Sequence, residues 1–142
     1  MMTFVTDTAT EVRRQWRAHL DRAASQLPVT FSRGPDEFTI VSAPLLRDAL
    51  RRSVHAPVVV AEDDGWSIFL EGHPIAADGG SLDEAIDEFI VSLTDYVEAW
   101  VDRLHSVPNH QHAALLALLV ATGSVDELRD WASGTVRRTP SP

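Results

Sequence analysis

Pro28-Val29-Thr30-Phe31-Ser32-Arg33-Gly34-Pro35-Asp36-Glu37-Phe38-Thr39-Ile40-Val41 carries the pattern on which the fold turns, two short apolar-rich runs around a Gly34-Pro35-Asp36 turn cluster. Val29 and Phe31 alternate with Thr30 and Ser32, and Phe38 and Ile40 flank Thr39, so a β-hairpin here has one dry face and one mostly polar face. A two-stranded ribbon alone is marginal in water. It needs a cover, and the sequence supplies helices on both sides of it.

Upstream, Phe4 and Val5 are candidates for a short first strand, and Thr8-Ala9-Thr10-Glu11 has the S/T-x-x-E form of a capping box. The helix it opens repeats Val12, Trp16, Leu20, Ala23 or Ala24 and Leu27 at helical spacing, with Arg13, Arg14, Arg17 and Asp21 on or beside the polar face. Trp16 is therefore expected in the core. Downstream, Ser42 is placed to cap a short helix carrying Leu45, Leu46, Ala49 and Leu50, and Arg51-Arg52 suit the negative end of its dipole. The fold class is α+β, opening with a β-α-β-β-α unit.

Glu11-Val12-Arg13, Leu20-Asp21-Arg22-Ala23, Pro28 to Gly34 and Phe38 to Leu50 together resemble the amino-terminal domain of the Phd/YefM antitoxins. That family's pattern runs S-E-A-R, L-L-D-R, P-V-x-I-T-R, an apolar strand and a short helix, in this order. This chain departs from it at the hairpin tip, which is acidic at Asp36 and Glu37, and at Ala49, where the family has an aromatic. The resemblance covers the first third of the chain and implies a homodimer that binds operator DNA. It places Arg13 and Arg33 at the family's recurrent Arg positions, with Arg14 and Arg17 as supporting phosphate ligands.

After a joint at Val54 to Pro57, Val58-Val59-Val60 and Trp66 to Leu70 read as strands around a Glu62-Asp63-Asp64-Gly65 turn, with Trp66, Ile68 and Leu70 on one face. Ile75-Ala76-Ala77 is a third short strand before Gly79-Gly80. A Ser81-Leu82-Asp83-Glu84 capping box then opens the strongest helix, striped with Ile86, Phe89, Leu93, Val97, Trp100 and Leu104. Its other side is acidic: Asp83, Glu84, Asp87, Glu88, Asp95, Glu98 and Asp102. Asp64 to Ile68 and Gly79 to Ala85 resemble the core of HicB-type antitoxins, and an unrelated β-β-β-α sandwich has the same pattern. Two helices, at about 112–122 and 125–133, are expected beyond Pro108.

The net charge of −9 is unevenly spread. Residues 1–53 carry eight Arg against six acidic residues, a balance of +2, whereas residues 54–142 carry four Arg against fifteen, a balance of −11. All twelve basic residues are Arg, which base composition of the genome explains more readily than phosphate recognition. With no cysteine there is neither a disulfide framework nor a thiolate metal site. No secretory leader pattern is evident, the longest apolar stretch, Ala113 to Thr122, is too short to span a bilayer, and the chain is expected in the cytoplasm.

No nucleophile elbow or triad spacing is present, so catalysis is not expected. His105, His110 and His112 read as surface histidines in a loop, and the acidic turn lacks calcium-loop spacing. Trp100, like Trp16, is expected in the core. The expected function is that of a type II antitoxin without cofactor, metal or membrane association. Residues 1–53 form its DNA-binding and dimerisation domain, residues 54–135 an acidic α+β region that binds a basic, RelE-like ribonuclease toxin, and residues 136–142 a disordered tail. Toxin contact is assigned to Trp66, Ile68 and Leu70, or to the Leu115-Leu116-Leu119 helix, with Asp87, Glu88, Asp95, Glu98 and Asp102 as the rim. The assembly is a homodimer, or a higher hetero-oligomer with toxin. Two alternatives stay open: a transcriptional regulator with a ligand-sensing second domain, and an adaptor that binds no DNA.

Overall fold

The hairpin forms as its alternation requires. In a computed structural model that describes residues 6–138, β2 (Val29–Arg33) and β3 (Asp36–Ile40) pair antiparallel with Phe31 opposite Phe38 and Val29 opposite Ile40. The tight connection depends on Gly34, whose φ of +59° a side chain would disfavour. The two phenylalanine rings stack with centroids 5.3 Å apart, a cross-strand pair that fixes the register. β1 (Thr6–Thr8) adds in parallel to β2, giving a three-stranded sheet in the order β1-β2-β3. Phe4 and Val5, expected in that first strand, lie outside the described residues.

The chain divides into two units, the first ending at Asp48 and the second beginning at Ala49. In the first unit the single expected helix is two, α1 (Ala9–Arg14) and α2 (Trp16–Ala24), because Gln15 leaves helical dihedrals at φ −111°, ψ 37°. Thr8 caps α1 by accepting from the Glu11 amide, as its motif indicates. The break turns the second segment, so the buried positions are Val12, His19 and Ala23, while Trp16 is 51% exposed and Leu20 42%. Trp16 is thus not a core residue. Buried His19 takes its place, with Nε2 3.4 Å from Asp7 Oδ2. α3 (Ala43–Ser53) follows, its Leu45 amide donating to Ser42 Oγ.

The second unit is a four-stranded sheet in the order β6-β5-β4-β7, built from β4 (Val58–Glu62), β5 (Gly65–Leu70), β6 (Ile75–Gly79) and β7 (Thr135–Arg138). β4, β5 and β6 form an antiparallel meander, and β7 lies parallel to β4. Helix α4 (Leu82–Asp102) packs on β5 and β6, burying Phe89 and Leu93 against the same core as Val59 and Ile68. Ser81 caps it by accepting from the Glu84 amide, while the Glu84 carboxylate accepts from the Gly80 amide. Short 3₁₀ segments at Leu104–Ser106 and Pro108–Ala113 lead to α5 (Ala114–Thr122) and α6 (Val125–Ala132). A full Ser124–Glu127 capping box starts α6.

Two expectations are corrected here. Residues 136–138, read as part of a disordered tail, belong to β7, because the backbone of β4 offers an unpaired edge that their own composition does not reveal. The histidines near Pro108 are at the surface as expected, His105 and His112 exposed and His110 half-buried, but they stand in 3₁₀ segments rather than an irregular loop and each is held by a hydrogen bond. His110 Nδ1 lies 2.8 Å from the Tyr96 hydroxyl, its carbonyl accepts from Trp100 Nε1 at 2.7 Å, and His105 Nδ1 is 3.1 Å from the Trp100 carbonyl. His112 Nε2 donates to the Gly72 carbonyl at 2.8 Å and its ring stacks on His73. Trp100 is half-buried, holding the 3₁₀ segment against α4 rather than filling the core.

Two measurements test this packing. A Cβ at Gly79 would collide with the backbone of Ala85 at the start of α4, so Gly79→Ala should cost about 1 to 3 kcal/mol of unfolding free energy in a denaturant titration. Burial, and secondarily the neighbouring His112, hold His73 below the usual imidazole range. The unfolded chain then binds the proton more readily, so this contribution is present above the ordinary histidine pKa of about 6.5 and is lost as pH falls through and below it. Melting temperature should fall between pH 7 and pH 5, and His73→Gln should flatten that slope.

Candidate functional site

Two charged surfaces, one in each unit, carry the candidate residues. In the first unit Arg13, Arg14 and Arg17 are exposed along α1 and the start of α2. Arg14 is engaged by Glu11 at 3.4 Å across one helical turn, an exposed pair with little net energy. Arg13 lines a shallow groove with Ala9, Val12, Trp16 and Phe31. Arg33 shares the hairpin face of Phe31 by strand alternation, lies 5.6 Å from the Phe38 ring centroid and is 4.0 Å from Asp36. Arg13 and Arg33, twenty positions apart in the chain but joined through Phe31, therefore border one aromatic patch.

Around that patch the first unit leaves large apolar side chains open. Trp16, Leu20, Leu27, Phe38 and Leu45 are each between 40% and 51% exposed. Large apolar side chains left open in a small unit are surface that a partner could cover.

In the second unit the candidate toxin residues separate. Ile68 and Leu70 are 0% and 3% exposed, in the core beneath α4, and offer no surface to a partner; the alternation that put them on one face was right, but that face is the covered one. Trp66, at the end of the same row, is half-buried beside a concavity lined by Glu62, Asp64, Asp78 and Gly80. Leu116 and Leu119 are likewise buried, while Leu115 is exposed.

The acidic side of α4 does face solvent: Asp87, Glu88, Asp95, Glu98 and Asp102 are all exposed. Arg129 of α6 reaches across to Asp87 and, at 3.8 Å, to Asp83, so Asp87 is already engaged within the fold. Val91, which the sequence reading passed over, is 54% exposed in the middle of this surface. Its signal was available, since one turn of helix on either side of it places Asp87, Glu88 and Asp95. Among the described residues no group of three or more His, Asp or Glu side chains is arranged to hold a metal ion. No helix there is long and apolar enough to cross a membrane.

Comparison with known proteins bears on both units. A family model described as "PHD_like: Antitoxin of toxin-antitoxin, RelE / RelB, TA system" matches residues 2–113. The match runs through residues 58–104 as well, so one family takes in the hairpin and helix that resemble HicB-type antitoxins. No curated protein matches the chain. Among solved structures, a protein from Syntrophomonas wolfei subsp. wolfei, described as an antitoxin part of a toxin/antitoxin system, superposes with a TM-score of 0.77 at 19% identity, over 95% of this chain and 99% of that one. At that identity the likeness shows a shared fold. The family match, spanning most of the chain and both charged surfaces, establishes that this chain belongs to the PHD-like antitoxins and is the antitoxin of a toxin–antitoxin system.

Proposed function

We propose that the chain is a type II antitoxin acting in the cytoplasm, which binds operator DNA through its first unit and masks a basic, RelE-like ribonuclease through its second. The observation that carries this reading is the segregation of charge onto two separate surfaces, an Arg-bordered aromatic patch and a carboxylate-covered helix. A surface bearing Arg13, Arg14, Arg17 and Arg33 suits phosphates. The carboxylates of α4 would repel nucleic acid and attract a protein that itself binds RNA.

The DNA-binding and dimerisation role falls to residues 1–53 and the toxin-binding role to residues 54–135. The open apolar side chains of the first unit favour a homodimer that covers Trp16, Leu20 and Phe38, and two-fold pairing would present two copies of Arg13 and Arg33 to a palindromic operator. Repression of its own operon follows from that arrangement, and toxin binding would enlarge the assembly. On the second unit, Glu88, Asp95, Glu98 and Asp102 form a rim and Val91 supplies the apolar centre, with Trp66 at the sheet end as a second contact. Steering charges at a rim raise association rate, while a desolvated centre sets the residence time.

For the DNA surface, Arg13→Ala and Arg33→Ala should each weaken binding to the DNA upstream of the coding sequence. An Arg on phosphate should flatten the log-affinity against log-salt slope by about 0.9, and one on a base edge should cost about 1 to 3 kcal/mol at a single position. Unchanged binding by the double variant in a fluorescence titration removes both residues from the interface.

For the toxin surface, a variant with Glu88→Gln, Asp95→Asn, Glu98→Gln and Asp102→Asn spares the Asp87–Arg129 bridge and should slow capture of the co-encoded toxin, most at low salt. Stopped-flow association across a salt series reads this directly. A parental rate at every salt concentration would make the acidic side of α4 a solvated face and nothing more.

A further inference from the structure

Two imidazoles join the connection between β5 and β6 to the 3₁₀ segment Pro108–Ala113. His112 Nε2 donates to the Gly72 carbonyl at 2.8 Å, and its ring stacks on that of His73 with centroids 4.9 Å apart. On its other side the segment is fastened to α4, where the Tyr96 hydroxyl lies 2.8 Å from His110 Nδ1 and Trp100 Nε1 donates to the His110 carbonyl. Tyr96 also meets the His73 ring edge-on, with centroids 6.5 Å apart. His55 and Glu71, both exposed, border the cavity of about 160 Å³ that His73 and His112 line.

These side chains differ in what they can do with a proton. His112 donates through Nε2 and is exposed, so water can accept from a second N–H at Nδ1. His105 donates through Nδ1 to the Trp100 carbonyl and is exposed likewise. His110 Nδ1 can accept from the Tyr96 hydroxyl when neutral and donate to its oxygen when protonated. His73 has no such outlet. Its Nδ1 is out of contact with solvent and has no hydrogen-bond partner among the described residues. A protonated His73 would therefore hold a buried N–H with no acceptor and bear the full desolvation penalty of that group, close to a second imidazole that also titrates. Glu71 is the one carboxylate on the cavity, and as an exposed group its attraction is largely screened, while His55, when charged, would add to the repulsion. Burial first, and His112 second, lower the His73 pKa, the direction this packing requires.

We infer that the stacked His73–His112 pair is an acid-operated catch: closed, it accommodates a proton on His112 but none on His73, and the proton that His73 takes up parts the two rings and frees His112 from the Gly72 carbonyl. The open form then binds one proton more than the closed one. Closure is thus favoured above the ordinary histidine pKa of about 6.5, and below it the closed-to-open ratio should fall about tenfold per pH unit until His73 titrates in the closed form. The movement is confined to this contact. Ala113, next in the chain to His112, is buried, as is Leu116 beyond it, and Phe89 and Leu93 of α4 are wholly buried in the core.

Nuclear magnetic resonance of the full-length chain between pH 7 and pH 5 tests this without any substitution. The His73 ring should titrate below the ordinary value, and the proton-to-proton contacts of the His112 ring with His73 and with the Gly72 α-carbon protons should fade over the same range, while those of Phe89 and Leu93 persist. In His73→Gln the contact of His112 with Gly72 should hold to pH 5. In His110→Gln it should be lost as in the parent, since His110 accommodates its proton in place. Unchanged ring contacts once His73 is charged overturn the proposal, as does a His73 that titrates at or above the ordinary value. Loss of the Gly72 contact at the parental pH in His73→Gln moves the trigger to another group and overturns it as well. Fading of the Phe89 and Leu93 contacts together with those of the rings would mark unfolding of the whole unit in place of a catch, and likewise overturns it.

Discussion

The close approach of α4 to β6 is the contact on which the second unit depends. Gly79 ends the strand against the backbone of Ala85, in the first turn of the helix, with no room for a side chain between them. That spacing lets Phe89 and Leu93 reach Ile68 and Val59 and exclude water completely from the centre of the unit. Once α4 is seated, the remaining elements attach to its flanks. Arg129 of α6 binds Asp83 and Asp87, and Tyr96 and Trp100 hold the 3₁₀ segment through His110. The acidic surface is the far side of the same helix, so its carboxylates are displayed on an element whose other side is buried in the core.

The first unit is built on the opposite economy. Among its described residues the buried apolar side chains are Val12, Ala23 and Val29, while Trp16, Leu20, Leu27, Phe38 and Leu45 are exposed. Three strands and short helices of this size bury too little surface to be strongly stable alone. Under the proposed homodimer, folding and association of this unit are one equilibrium, and its stability depends on chain concentration. DNA binding would then draw on the same equilibrium, because only the paired form presents both sets of Arg side chains.

Under the proposed function this antitoxin meets two macromolecules of opposite electrostatic character. In that reading the exposed Arg13, Arg14, Arg17 and Arg33 of the first unit answer the phosphates, and the carboxylates of α4 in the second answer the basic toxin.

The hairpin, the caps at Thr8, Ser81 and Ser124, and the acidic side of α4 were all legible in the residues, because each depends on spacing within one element. A turn needs its glycine, a helix start needs its hydroxyl, and charge at helical spacing goes to one side wherever the helix lies. Membership of the antitoxin family was legible too, from the ordered motifs of the first third. What only the tertiary structure decided is which apolar faces are covered. Trp16 and Val12 share a helical stripe in sequence, yet a change of dihedrals at Gln15 leaves one in water and buries the other. Ile68 and Leu70 look as available as Trp66 until α4 is laid over them, and residues 136–138 look unstructured until β4 offers an edge. Burial and edge pairing belong to contacts between segments distant in the chain, and hydrophobic periodicity records that a face is apolar without recording what will cover it.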